Sequence, residues 1–385
     1  MNIRHCLIAL TLSASPLHAA EMTDKAFQEI ADRVFQPVIK EYDIPGLAVG
    51  VTVDGSEFYY TYGEASRETK APVTTGTIFE LGSVSKIFNV TLAALAEQRG
   101  LLSMDQPVST YLPELKGSAF DKITPVNLAT HTSGGLPLQV PDSVTDDAEL
   151  MTYLKTWKPA YKAGTMRSYS NVSIGLLGRI AGERLGGTYR QAAEGQLFPA
   201  LGLKSTFIAV PPEATDRYAF GYAKANKPIH VGPGMLDDEA YGIKTTVRDM
   251  VHVMELNLKP DGLAPDLAAA IEKTHTGYFD TATYTQDMIW EQYVWPVTLK
   301  KLLDGNSAKM SLESQPVKKR AKPLAPQTAV LMNKTGSTNG FGSYVVMMPK
   351  AQIGLTVLAN RNYPNTARAE AGLKLMQALE AYTAK

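Results

Sequence analysis

Cysteine is almost missing from this chain: its 385 residues hold one, Cys6. That residue falls in an N-terminal stretch with the form of a secretory leader. Met1-Asn2-Ile3-Arg4-His5 is a short positive start, Cys6 to Ser13 is apolar, and Pro16-Leu17-His18-Ala19-Ala20 ends in small residues, so cleavage is expected after Ala19 or Ala20. The mature chain then has no disulfide, no thiol nucleophile and no thiolate metal site. Export to the periplasm of a bacterium is expected. Cys6 lacks the context of a lipoprotein cysteine, so no membrane anchor is expected either. An excess of one charge is missing too: Lys plus Arg and Asp plus Glu both number 38. Nothing in that balance draws nucleic acid or an anionic membrane. Beyond the leader no apolar run is long enough to span a bilayer. Histidine is scarce, at six. His5 and His18 leave with the leader, and His131, His230, His252 and His275 show neither His-x-His nor His-x-x-x-His spacing. No metal or other cofactor is expected. Gly-x-Ser-x-Gly is absent, which disfavours a nucleophile-elbow esterase. There is no internal repeat and no low-complexity tract.

What remains is an ordinary globular balance, 44% apolar. Glu21 to Tyr42 has helical periodicity, with Phe27, Ile30, Val34, Phe35 and Val38 on one face. Leu47 to Val53 and Glu57 to Tyr62 read as strands joined at the hairpin turn Asp54-Gly55. From about Lys86 to Gly221 helical signals dominate, the clearest being Asp146 to Trp157 and Ser173 to Leu185. Strands return at Ala329 to Lys334, Ser343 to Met348 and Ile353 to Ala359, followed by a helix over Thr366 to Tyr382. The chain is therefore expected to be α/β of the α+β type. One antiparallel sheet is built from both ends and flanked by the terminal helices, with a mostly helical second lobe. Residues 21–85 with 230–385 are assigned to the sheet lobe and 86–229 to the helical lobe, with the site between them. Nothing in the sequence calls for an oligomer, and a monomer is expected.

Three short motifs carry chemistry. Gly82-Ser83-Val84-Ser85-Lys86 opens a helix that continues through Arg99 and stops at Gly100. Lys86 lies one turn beyond Ser83 on the same face, so its ammonium can approach the hydroxyl. A buried lysine of lowered pKa can activate a serine, and unpaired N–H groups at a helix start can stabilise an oxyanion. This is the only Ser-x-x-Lys in the chain. Tyr169-Ser170-Asn171 precedes the Ser173 helix and offers a phenol and an amide on one side; Tyr363-Pro364-Asn365 fits the same pattern, so the tripeptide alone decides nothing. Lys334-Thr335-Gly336 closes a strand before Ser337-Thr338-Asn339-Gly340-Phe341-Gly342. It offers a cation and a hydroxyl for a carboxylate, with a glycine where another backbone can approach.

In this order the three motifs match the signature of serine enzymes that recognise penicillin, with Tyr-Ser-Asn in the middle place. The chain closely resembles the class C β-lactamases over essentially its whole mature length. Further matching stretches are Phe79-Glu80-Leu81-Gly82, Leu128 to Gln139, Asp237 to Lys244, and Leu358 to Asn365. The resemblance implies a β-lactamase/transpeptidase-like fold and hydrolysis of the β-lactam amide of cephalosporins and penicillins through a serine acyl-enzyme, conferring resistance. It implies Ser83 as nucleophile, with Lys86 and Tyr169 sharing its proton and Lys334 completing the catalytic set. Gln139 and Asn171 would hold the substrate acylamide, and Tyr241 would line its side-chain pocket. Lys334 and Thr335 of the Lys334-Thr335-Gly336 strand would face the substrate carboxylate, helped by Asn365 and Arg368. The N–H groups of Ser83 and Ser337 would form the oxyanion hole. One departure stands out: Asp287-Met288-Ile289 precedes Trp290-Glu291 where the family usually has Gly-Leu-Gly. It bears on substrate range more than on the reaction. D-alanyl-D-alanine peptidases and related penicillin-binding proteins share the motifs, and some carboxylesterases share the first two. The intact Lys334-Thr335-Gly336-Ser337 argues against the esterase.

Overall fold

The computed structural model describes residues 22–223 and 226–383; the leader lies outside the described residues. The main sheet has ten strands, all paired antiparallel. In chain order these are β1 (Gly46–Val53), β2 (Ser56–Ser66), β3 (Ala71–Pro72), β4 (Gly277–Asp280), β5 (Thr285–Gln286), β6 (Glu291–Val294), β7 (Lys318–Leu324), β8 (Val330–Ser337), β9 (Gly342–Met348) and β10 (Ile353–Ala359). Across the sheet they run β7-β4-β5-β6-β8-β9-β10-β1-β2-β3. The two ends of the chain meet where β1 pairs with β10, Leu47 opposite Ala359. Asp54 and Gly55 both take positive φ, as a two-residue hairpin between right-twisted strands requires.

Every residue of β1 and β10 is buried, because both sheet faces are covered. On one face lie the terminal helices α1 (Asp24–Tyr42) and, at the other end of the chain, the helix Asn365–Thr383. Phe27 and Phe35 from the first and Leu373, Met376 and Leu379 from the second close over Leu47, Val49, Val51, Leu355 and Val357. α1 is capped by the Thr23 hydroxyl, which accepts from the Ala26 N–H. The opposite face packs on the helical body. That body includes α2 (Lys86–Gln98), α3 (Asn171–Arg184), α4 (Val247–Leu258) and α5 (Pro265–Thr274), with Val247, Met250 and Met254 against Ala48, Val345 and Leu358. α2 is the centre of this second core: Lys86 through Ala96 are buried without exception.

Candidate active site between the sheet and the helical body

Ser83 sits on a short 3₁₀ turn, Gly82–Ser85, which feeds directly into α2. The turn is wedged against β8. Gly82 adopts φ +52, and a Cβ there would lie 2.5 Å from the backbone of Ser337. A Cβ on Gly336 would lie 2.1 Å from the Leu81 carbonyl oxygen. The two glycines thus let the nucleophile turn and β8 touch backbone to backbone. The Ser343 hydroxyl donates to the Leu81 carbonyl (2.6 Å), and the Ile243 N–H donates to the Ser85 hydroxyl (3.1 Å), so the turn is held on both sides.

The Lys86 ammonium donates to Ser83 Oγ and to the Ala240 carbonyl, both at 2.8 Å. The side chain is wholly buried. Burial, and then the nearby Lys334 charge, bring its pKa down to about 8, against an upward pull from Tyr169. Tyr169 precedes α3, whose N-cap is Ser170 and whose first residue is Asn171. The Lys86 and Lys334 ammonium groups stand 5.3 and 5.2 Å from the Tyr169 ring centre, and the Arg167 guanidinium 5.4 Å. Burial pushes the Tyr169 phenol up, but Lys334 and Lys86 outweigh it and bring it to about 7. His131 lies against the same ring, centres 4.3 Å apart. Its Nδ1 accepts from the Ser170 N–H. Burial, with Arg167, Lys86 and Lys334 nearby, holds it well below its ordinary value, so the ring is neutral.

An open cavity of about 270 Å³ is lined by Ser83, Gln139, Tyr169, Asn171, Lys334, Thr335, Gly336, Ser337 and Asn365. A second arm of about 380 Å³ shares Ser83, Gln139, Asn171 and Ser337 and is bounded by Tyr241. Most of the sequence-derived residues therefore meet in one cleft, while Lys86 is fully buried and touches Ser83 without lining the cavity, and Arg368 stands further off. Arg368 is fully buried and does not reach the cavity. Its guanidinium donates to the Gly336 carbonyl (2.6 Å), the Ser337 hydroxyl (3.0 Å), and the side chains of Asn365 (3.1 Å) and Asn362 (2.7 Å). Its position one turn into the last helix points it beneath β8, where it holds the strand end in place of a substrate.

Sequence reasoning missed three charged residues. Arg167 and Glu291 line the cavity although nearly buried themselves. Arg167 donates to Gln286 Oε1 (2.7 Å) and the Met310 carbonyl (2.6 Å) and lies 3.6 Å from Glu291. Glu80 accepts from the Tyr218 hydroxyl, the Val231 N–H and the Thr338 hydroxyl, tying the strand before Ser83 to the loop after Ser337. Alternation from Tyr169 back to Arg167 was the one usable signal. Asp287-Met288-Ile289, the departure from the family pattern, joins β5 to β6 and lines neither arm. Ile289 takes φ +68, and its N–H donates to the Ala129 carbonyl. Among the described residues no cluster of His, Cys, Asp or Glu is arranged to hold a metal.

The β-lactamase family model matches residues 31–380. The chain is 52% identical to a class C β-lactamase of Rhodobacter sphaeroides, whose structure superposes with a TM-score of 0.88 over 91% of this chain and 99% of that one. It is 44% identical to a β-lactamase of Pseudomonas fluorescens over 353 residues, 92% of this chain and 99% of the relative. A β-lactamase/D-alanine carboxypeptidase of Pseudomonas syringae matches at 42% identity and a TM-score of 0.90, over 91% and 99% of the two chains. With Ser83 and Tyr169 lining one cleft and the Lys86 ammonium on Ser83 Oγ, this chain belongs to the β-lactamase family and, within it, to the class C serine enzymes.

Proposed function

We propose that this chain opens the β-lactam amide of cephalosporins and penicillins through an ester on Ser83, and so confers β-lactam resistance. The observation that carries this is the 2.8 Å contact from the Lys86 ammonium to Ser83 Oγ, with Tyr169 between two lysines. A phenol brought to about 7 is substantially ionised at neutral pH, while an amine at about 8 is still mostly protonated. Tyr169 is thus the readier base and Lys86 the cation that keeps it so. Ser83 Oγ attacks the lactam carbonyl as its proton passes to Tyr169. The N–H groups of Ser83 and Ser337 receive the oxyanion, and the proton moves on to the departing ring nitrogen. Water then attacks the ester from the Tyr169 side and releases Ser83. Thr335 and Lys334 face the substrate carboxylate, Asn171 and Gln139 its acylamide, and Tyr241 the acyl side chain. Asn365 borders the carboxylate end, while Arg368 acts through Ser337 and Asn365 as a positioning residue. Export through a leader over residues 1–20 and a monomeric state complete this reading.

Purified mature chain is expected to hydrolyse a chromogenic cephalosporin with repeated turnover. Ser83→Ala should abolish it, and Tyr169→Phe should fold normally with turnover greatly reduced. Near-normal rates in Tyr169→Phe would remove that residue from its role. A second reading, a D-alanyl-D-alanine peptidase, is favoured by the name of the Pseudomonas syringae relative. It predicts one stoichiometric burst with a cephalosporin followed by silence.

A further inference from the structure

Away from the catalytic cleft, a larger cavity of about 670 Å³ opens between the free edge of the main sheet and the helical body. Its size falls in the range of small-molecule sites. It shares no lining residue with either arm of the cleft. Three lysines line it from three separate segments: Lys122 before the helix Pro125–Ala129, Lys162 on the loop before Met166–Arg167, and Lys319 on the edge strand β7. None of the three has an ion-pair partner among the described residues. Two more cations line the cavity, but each is already committed, Lys273 to Glu97 at 3.5 Å and Arg320 to Asp280 at 2.6 Å. The one carboxylate on the wall is Asp105. The cavity therefore carries a surplus of positive charge in a chain whose formal net charge is zero.

The wall of the cavity is ordered without a ligand. Tyr278 packs into the wall at 8% exposure. The loop that carries Lys162 is also pinned. Its carbonyl accepts from the Thr165 N–H (3.2 Å) and hydroxyl (2.7 Å), and the Gly164 N–H donates to the Thr132 carbonyl (2.8 Å). Ordering that loop for a ligand costs little.

We infer that this cavity is a second binding site, for a small molecule carrying two or more anionic groups, held by Lys122, Lys162 and Lys319. Phosphoryl and carboxyl groups share this chemistry, and paired ammonium groups recognise both as point charges.

The test is calorimetric titration of the full mature chain with inorganic tripolyphosphate and, in a parallel arm, with citrate, at low and then raised salt. One of the two should bind at a stoichiometry of one, more weakly as salt rises, and which one binds identifies the anion class. Affinity should fall about tenfold or more when Lys122, Lys162 and Lys319 are all changed to Gln. A control pair on the same strand that does not line the cavity, Lys318→Gln and Lys322→Gln, should leave it unchanged. All three lysines are exposed, so the triple variant should keep the wild-type melting temperature and its cephalosporin turnover. Absence of binding by either anion, binding unchanged in the triple variant, or competition between the bound anion and a cephalosporin would each overturn the assignment. The last would place the anion in the catalytic cleft.

Discussion

Replacing Gly336 with alanine tests the backbone seam on which the catalytic geometry depends. The added Cβ would sit 2.1 Å from the Leu81 oxygen, 2.4 Å from Ser343 Oγ and 2.7 Å from the Val84 nitrogen. The first and last are backbone atoms of the nucleophile turn and cannot rotate aside. Bringing the shortest contact to ordinary van der Waals distance requires β8 and the turn to separate by about 1 Å. On the proposed mechanism, that separation lies between the group that attacks, Ser83, and the groups that receive the substrate, Thr335 and Ser337. A misplacement of about 1 Å costs on the order of a hundredfold. The overpacked seam should also lose about 1–3 kcal/mol of stability. The assay is kcat/KM for a chromogenic cephalosporin, with the melting temperature measured beside it. Gly195→Ala is the control: it lies on a helical turn, and a Cβ there meets nothing within 4 Å. A Gly336→Ala enzyme within about threefold of wild type in kcat/KM, with unchanged melting temperature, would refute the argument that this seam positions the reacting groups.

Other perturbations follow from the same contacts. Lys334→Ala removes the strongest influence holding the Tyr169 phenol down, so the rising limb of the kcat/KM pH profile should move to higher pH; an unmoved limb would assign it to another group. Asp287 is fully buried with both carboxylate oxygens unpartnered, and burial holds its pKa well above the carboxylate range. The unfolded chain ionises this group from about pH 4 while the folded chain keeps it protonated, so stability it contributes at low pH is lost as pH rises from there toward the raised folded value. Asp287→Asn should flatten that decline, read as urea unfolding free energy across the range. Arg167→Met strands Glu291 and Gln286 Oε1 in the interior and should cost about 3–5 kcal/mol, measured by chemical denaturation.

The parts of the fold legible in the sequence are those whose periodicity matches their burial. α1, the β1–β2 hairpin, β9, β10 and the last helix all lie within a few residues of their expected bounds, because each is long and sits on one continuous core. The Ser83, Tyr169 and Lys334 motifs also show in the sequence, since their rarity and order outweigh their shortness. The other half of the sheet does not. β5 has two residues, β4 and β6 have four each, and β7 is a charged edge strand, Lys318 to Leu324, with no apolar alternation to read. Nor does a pattern argument find Arg167, Glu291 or Glu80, because a charged residue is normally read as solvent-facing. Their burial depends on partners far away in sequence. Arg368 carries the same lesson: its helix is legible, but that it holds the floor under Ser337 is visible only when the two ends of the chain are brought together.

The pairing of β1 with β10 has a consequence for how the protein comes into being. The Asn360 side chain accepts from the Gly46 N–H across 314 residues, and β8, against which the nucleophile turn rests, is made only after most of the chain. A chain still emerging from synthesis holds Ser83 and Lys86 but lacks the strand that faces them and the arginine beneath it. Such a chain exposes the open edge of β1, a template for wrong pairing, and closing it waits on contacts of the longest range, the slowest kind to form. Acylating capacity should therefore arrive all at once, when the C-terminal helix docks on α1 and completes both the sheet and the cleft.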